Sequence, residues 1–310
     1  MTAHQATIPE TALSRKPSHR ARRRRPANRA KRRSSFLTVV MWLCVVYFMV
    51  PLIWLFMSST KDNSDLFTTF GLWFGPDFNL FQNIVEVFAY KDGIYLRWTL
   101  NTILYAGVSA IGATLLATMA GYAFAKYTFP GNKLLFSVTL GAIMIPLTAL
   151  AIPTYLLFSS MGITNTPWSV ILPSLVSPFS VFLMRVYAAD AVPISLLEAG
   201  RVDGAGEFRI FWQVALRLLA PGMVTVMLFT LVATWNNYLL PLIMLNSGDL
   251  LPLTVGLAQL QATSAAGGGA QALFSTVITG AFLSIIPLII AFLYLQRFWQ
   301  TGLATGGVKG

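Results

Sequence analysis

Residues 193–222 read PISLLEAGRVDGAGEFRIFWQVALRLLAPG. They form the charged island of an otherwise apolar chain. Thirteen charged residues follow position 98, and six of them, Glu198, Arg201, Asp203, Glu207, Arg209 and Arg217, fall here. Pro193 suits the first turn of a helix, where its missing N–H leaves no hydrogen bond unmade. Ile194, Leu197 and Val202 give a partial apolar stripe with Glu198 and Arg201 beside it, the pattern of a short amphipathic helix. Asp203-Gly204 breaks that run, because glycine accepts backbone angles that a side chain forbids. A second helix starts near Gly206 and gathers Phe208, Phe211 and Val214 on one apolar side. The stretch is predicted to be a helix-turn-helix between membrane spans; an ordinary charged connection is the plainer alternative.

The surroundings of the island are apolar enough to span a membrane. Of 310 residues, 55% are hydrophobic and 11% charged, and the mean hydropathy is +0.66. Such a composition belongs to a polytopic membrane protein. A helical span needs about 20 apolar residues, and six segments qualify: 36–57, 99–125, 134–160, 166–187, 218–245 and 272–296. The predicted fold is all-α. No Asp, Glu, Lys or Arg occurs from Leu134 to Met184, nor from Leu218 to Gly248. The single Cys44 can form no internal disulfide.

Charge gives the orientation. The net charge of +11 is an effect of the tail: residues 1–35 hold 11 Lys or Arg, Arg22 to Arg25 among them. A basic tail ahead of a first span reads as a positive-inside anchor, with anionic lipid within its reach, rather than as a nucleic-acid arm. Arg32-Arg33 before Ser34-Ser35-Phe36-Leu37 has the look of a twin-arginine signal, but no small-residue cleavage site follows, so the first helix is read as uncleaved. The segments on the tail's side, 1–35, 126–133, 185–217 and 297–310, carry 19 of the 22 Lys and Arg, and the other side carries Lys61, Lys91 and Arg97. Both termini and the 193–217 loop are therefore expected in the cytoplasm. The outer segment 58–98 is expected to fold as a small cap of short amphipathic helices. The outer connection 246–271 contains Gly267-Gly268-Gly269, a triplet expected to be a flexible linker first and a probing loop into a partner second. Prolines 146, 153, 173, 178 and 287 lie inside predicted spans, and each frees carbonyls that neighbouring helices, side chains or water must satisfy.

EAGRVDGAGEFRIFWQVALR resembles the EAA loop of ABC-transporter permeases, with Glu198, Ala199, Gly204 and Leu216 at the matching positions. Gly200 stands for the second Ala, Val214 for an Ile and Arg217 for a Pro. AGYAFAKYTFPGNKLLF (120–136), IPTYLLFSSMGITNT (152–166), ATWNNYLLPL (233–242) and the terminal GGVKG extend the resemblance to carbohydrate-type permeases related to the maltose-system inner-membrane subunits. It covers roughly residues 97–310. The resemblance implies a type I ABC importer permease fold in a bacterial inner membrane, with a core over 99–296. It implies a second permease subunit, two cytoplasmic ATPase subunits that bind the ATP, and an extracytoplasmic solute-binding protein. It assigns Glu198, Ala199, Gly200, Arg201, Asp203, Gly204 and Ala205 to coupling with the ATPase.

The chemistry agrees by what it lacks. His4 and His19 both lie in the tail, and there is no G-x-x-x-x-G-K-[ST] loop for ATP phosphates and no zinc-type cluster. No catalytic or metal residue is expected, and no cofactor of the chain's own. Ion-coupled carriers place ionisable groups at mid-membrane depth, and these spans have none. A self-contained secondary transporter, for instance Na⁺-coupled through backbone carbonyls, remains the alternative, but it leaves the charged loop without a task. For a sugar, the expected path residues are neutral hydrogen-bonders beside aromatic surfaces: Asn236 and Asn237 with Trp235 and Tyr238, then Asn101 and Tyr105, then Ser177 and Ser180. Trp, Tyr and Asn near span ends also serve as interface anchors.

Overall fold

The computed structural model describes residues 35–265 and 273–306. The basic tail through position 34, the Gly267-Gly268-Gly269 triplet and residues 307–310 lie outside the described residues. Among those described, every regular element is helical. The chain divides into two units, Met1–Met49 and Val50–Gly310. The described part of the first is the opening of α1 (Ser35–Ser59), 25 residues apolar on every side. Such a helix is a membrane span, and at about 1.5 Å per residue it outreaches a hydrocarbon layer of about 30 Å.

In the second unit the outer segment holds α2 (Asp65–Thr68) and α3 (Leu80–Ala89). α3 is amphipathic as expected, with Asn83 and Val87 buried and Gln82 and Glu86 exposed. The segment ends earlier than 98, however. A left-handed trio, Lys91, Asp92 and Gly93, turns the chain into α4 (Ile94–Lys126). Tyr95 and Trp98, inside the bounds expected for the outer segment, are buried on α4.

α4 is the axis of the unit and packs against α7, α8 and α11, whose ranges follow. Ala106, Ser109, Ala110, Ala113, Thr114, Ala117, Thr118 and Gly121 line its buried face. Small residues at such spacing let helix backbones approach where no hydrophobic effect drives them together. The hydroxyls of Thr102, Thr114 and Thr118 donate back to the carbonyls four residues earlier, at 2.6–2.7 Å, so burial leaves these hydroxyls paired.

Among the described residues, five of the six predicted spans coincide with helices long and apolar enough to cross a membrane and the third does not; the third, fourth and fifth are broken. The third, 134–160, consists of two half-helices, α5 (Asn132–Ile143) and α6 (Ala151–Ser160). Pro146 lies in the gap, where its ring cannot follow a helical turn. The fourth is α7 (Trp168–Leu175) and α8 (Pro178–Ala191), parted at Val176-Ser177 ahead of Pro178. The island follows as α9 (Ile194–Val202) and α10 (Glu207–Ile210). A π-helical turn over Phe211–Ala215 runs on into α11 (Leu216–Trp235). The fifth predicted span, 218–245, stops at Trp235 and resumes as α12 (Leu239–Met244). Pro153, Pro173 and Pro287 sit inside unbroken helices.

Residues 253–265 form α13 (Leu253–Ala265), with Leu253, Val255, Gly256 and Leu260 buried, because LTVGLAQLQA repeats its apolar residues at helical spacing. α14 (Phe274–Gly306) continues past 296, so the expected C-terminal tail is helical as far as Gly306.

Two buried clusters hold the unit together. One gathers Tyr95, Trp98 and Tyr105 of α4 with Trp235, Met244, Leu251 and Val255. The other joins Ala117 and Tyr122 of α4 to Met184, Ala188, Leu197, Ile210, Phe211 and Leu219. The charged island is thus bound into the second cluster, at the end of α4 opposite Tyr95.

Candidate functional site

The island is a helix-turn-helix, as its sequence predicts. α9 closes on Gly204, whose φ of +76° is left-handed. The Ala205 N–H donates to the Gly200 carbonyl at 2.9 Å and the Gly204 N–H to the Arg201 carbonyl at 3.0 Å, the paired bonds of a glycine C-cap. Gly200 lies under the second helix, where a Cβ would stand 3.1 Å from Ile210 Cγ1. Its departure from the Ala of the EAA pattern matches that close approach.

The apolar stripe is where the sequence misleads. Of Ile194, Leu197 and Val202 only Leu197 is buried, and Val202 is 87% exposed. Phe208 is 74% exposed and Val214 only half-buried; of the expected three, Phe211 alone is buried, and the π-helical turn brings Ile210, Ala215 and Leu219 inward with it. Glu198, Ala199, Arg201 and Asp203 are exposed beside them. Val202 and Phe208 are thus exposed on the same helix pair as these charges.

Glu207, which sequence reasoning counted only as a charge, organises this surface. Its Oε1 accepts from Arg201 Nε at 2.6 Å across the turn, and its Oε2 accepts from the Tyr127 hydroxyl at 2.7 Å. The bond from Arg201 and then that from Tyr127 hold the Glu207 carboxyl below the usual carboxylate range. Burial first, and then the bond to Glu207, push the Tyr127 phenol up. Tyr127 follows α4 directly, and its ring meets Tyr122 edge-on at 5.6 Å. An acid opening a helix after a glycine turn, facing an Arg six residues back, was the available signal for the ion pair; nothing local points to Tyr127.

The expected path residues separate into two groups. Asn236, Asn237 and Tyr238 lie in the break between α11 and α12. Asn236 and Tyr238 are exposed, Asn237 is half-buried, and the Asn237 carbonyl accepts from Thr254 Oγ1 at 2.8 Å. In many transporters, helices interrupted at membrane depth are where substrate groups and coupling ions meet freed backbone groups. Trp235, by contrast, is buried in the core. Asn101 and Tyr105 face the strap between α12 and α13. Asn101 Nδ2 donates to the carbonyls of Asp249 and Leu251 at 2.8 and 3.1 Å. The hydroxyl of Tyr105, itself 2% exposed, donates to the Leu250 carbonyl at 2.8 Å. Trp98 Nε1 bonds the Gly248 carbonyl, Thr102 Oγ1 accepts the Leu253 N–H, and Arg97 pairs with Asp249 at 2.8 Å. This polar face of α4 holds a strap. Ser177 caps α8, its hydroxyl 2.7 Å from that of Ser180.

The break in the third span adds a surface that sequence did not single out. Met144 is 85% and Leu147 82% exposed in a non-helical segment.

Comparison with known proteins bears on these features together. The family model described as "Binding-protein-dependent transport system inner membrane component" matches residues 113–301. An arabinooligosaccharides transport system permease protein, AraQ of Halalkalibacterium halodurans, is 33% identical over 261 residues, covering 84% of this chain and 91% of that one. A lactose transport system permease protein, LacG of Rhizobium radiobacter, is 30% identical, covering 84% and 90%. Among solved structures, a chain of a bacterial ABC transporter involved in import of the acidic polysaccharide alginate superposes with a TM-score of 0.73 at 21% identity, covering 85% of this chain and 95% of that one. That likeness is one of fold.

Proposed function

The chain belongs to the family of binding-protein-dependent transport system inner membrane components, and we propose that it is the permease subunit of an ATP-driven importer for a sugar or oligosaccharide. The relatives' names, transport systems for arabinooligosaccharides and lactose, support the solute class. In this reading the chain forms half of the path and a second permease subunit forms the other half. Two cytoplasmic ABC ATPase subunits bind the ATP, and a solute-binding protein delivers the solute from outside. The chain lies in a bacterial inner membrane with its termini in the cytoplasm, which the 19-to-3 division of Lys and Arg supports.

The observation that carries the reading is the outer face of α9 and α10. Glu198, Val202 and Phe208 stand exposed on a helix pair that is held to the bundle through Leu197 and Ile210. An ATPase cleft would cover the two apolar side chains and pair the carboxylate. The broken third span supports the second permease. Non-helical backbone at membrane depth persists only against protein or a water-filled path, and Met144 and Leu147 need such cover. A secondary carrier would leave the α9–α10 face without a partner, and the spans offer no ionisable group for coupling.

The test is uptake by the assembled complex in proteoliposomes with ATP held constant. Uptake should persist when ionophores collapse the proton and sodium gradients and should stop when ATP is removed. Loss of uptake with ionophore at constant ATP would overturn the reading.

A further inference from the structure

We propose that Glu207 and Tyr127 are positioning residues, linking the α9–α10 loop to the half-helix α5 so that movement of the loop reaches the break in the third span. The proposal rests on the loop being the ATPase contact argued above.

The loop has two covalent exits. One is through Val192 into α8, and the other is through Ile210 into α11. Both helices are packed hard into the bundle: α8 meets α4 at Gly121, and α11 meets Tyr187 of α8 at Gly222, where a Cβ would be 2.6 Å from the ring. Glu207 makes a third exit. With one carboxylate oxygen on Arg201 of α9 and its own place at the start of α10, it grips both helices of the loop. Its other oxygen holds the Tyr127 hydroxyl.

Tyr127 passes the link on. Its backbone carbonyl accepts from Asn132 Nδ2 at 3.0 Å, and that side chain also reaches the Phe124 carbonyl at 3.4 Å. Asn132 is the first residue of α5. The Tyr127 ring is fixed against Tyr122, which in turn lies 5.2 Å from Phe211. The run Glu207–Tyr127–Asn132 therefore joins the loop to the foot of α5 by two hydrogen bonds, the first to the Tyr127 hydroxyl and the second to its backbone carbonyl.

α5 is suited to respond. Phe136 is its one buried residue and its anchor, set against Phe124, Phe182 and Arg185, and its far end opens into the gap containing Pro146. A short helix with one packed side chain and a break at its end is an element that can take two positions. A shift of α9 and α10 on ATPase docking would pull on Glu207, and Tyr127 would move α5 against the break.

Intermediate position alone does not establish coupling, so the experiment measures it. The complex with its partner permease and ATPase is reconstituted in proteoliposomes. Solute transported per ATP hydrolysed is then recorded for wild type, Tyr127→Phe, Glu207→Gln and the double variant. Tyr127→Phe removes one hydroxyl and keeps the ring packing. The expected result is a fall in that ratio of about fivefold or more. Capture of the ATPase and the melting midpoint of the Tyr127→Phe permease should stay at wild-type values. The double variant should be no worse than the more affected single one, because both changes cut the same link. An unchanged ratio in Tyr127→Phe overturns the proposal. So does loss of ATPase capture in that variant, which would make Tyr127 part of the docking surface, and so does a ratio that falls only in step with the melting midpoint. Failure of the wild-type chain to capture any ATPase would instead overturn the underlying reading of the loop.

Discussion

Gly121 of α4 lies directly against the backbone of Arg185 on α8: a Cβ at position 121 would stand 2.6 Å from the Arg185 amide nitrogen and 2.7 Å from Met184 Cβ. Backbone cannot yield as a flexible side chain can, so Gly121→Val must part the two helices. Overpacking of this kind costs about 1–3 kcal/mol, and here it acts where α4, α8 and the loop share one cluster. Gly107 on the same helix is the control, since a Cβ there meets nothing within 4 Å. Gly107→Ala should leave the melting midpoint in detergent unchanged or slightly raised, by about 0.5–1 kcal/mol at most. Gly121→Val should lower it clearly. Equal midpoints for the two variants would remove the close α4–α8 contact from the account.

How much of this was legible in sequence depends on the range of the signal. The island was legible because charge in an apolar chain is conspicuous and because Asp203-Gly204 marks its turn. The breaks were not. Pro146 and Pro178 lie at gaps while Pro173 and Pro287 sit in continuous helix, so the residue type does not tell which carbonyls its surroundings can satisfy. Val202 and Phe208 read as core because periodicity reports which side chains avoid water, not whether the covering surface belongs to the same chain. The bond from Tyr127 to Glu207 spans 80 residues, and only the packing of α4 beside the loop brings the two together. The strap was missed for the same reason: Asn101 and Tyr105 present the neutral polar chemistry a sugar would want, and backbone carbonyls of residues 249–251 want it equally.

That competition for Asn101 and Tyr105 makes a prediction. Removing the Tyr105 hydroxyl leaves the part-buried Leu250 carbonyl without its donor, at about 1–3 kcal/mol. Tyr105→Phe and Asn101→Ala should therefore lower the melting midpoint of the permease while leaving the solute concentration for half-maximal uptake unchanged. Asn237→Ala, in the break after α11, should shift that concentration. A rise in half-saturation for Tyr105→Phe without loss of stability would return this residue to the path.

Coupling should be insensitive to pH across the physiological range. The carboxyl of Glu207 titrates lower in the folded chain than its ordinary value of 4.5, so its contribution is complete above that value and is lost as pH falls through the lowered one. Tyr127 titrates above its ordinary 10.0, so its contribution is complete below 10.0 and is lost only as pH rises through the raised value. The two windows overlap from about pH 5 to about pH 10, and no histidine follows His19. Solute transported per ATP should be flat between about pH 5.5 and about pH 8.5. A midpoint near pH 6.5 in that ratio would mean that another group controls the link.

The turn of the island separates backbone geometry from contact. Gly204 has φ +76°, yet a Cβ there meets nothing within 4 Å, so any penalty for a side chain is one of conformation alone. A left-handed residue with a Cβ costs about 1–2 kcal/mol, and Asn bears it best. Gly204→Asn should then capture the ATPase almost as wild type does. Gly204→Val, with its branched Cβ, should re-aim α9 against α10 and weaken capture. Glu198→Lys offers the complementary change: its side chain is exposed on α9, so the fold should be untouched while a charge-assisted contact worth roughly 1.5–3 kcal/mol is lost. Binding of the ATPase to Glu198→Lys should weaken about tenfold or more, with an unchanged melting midpoint. Titrating purified ATPase against the three variants in nanodiscs orders them as Gly204→Asn tightest, with Gly204→Val and Glu198→Lys both weak. Equal affinity for Gly204→Asn and Gly204→Val would show that the aim of α9 does not matter to docking, and wild-type affinity for Glu198→Lys would take this carboxylate out of the interface.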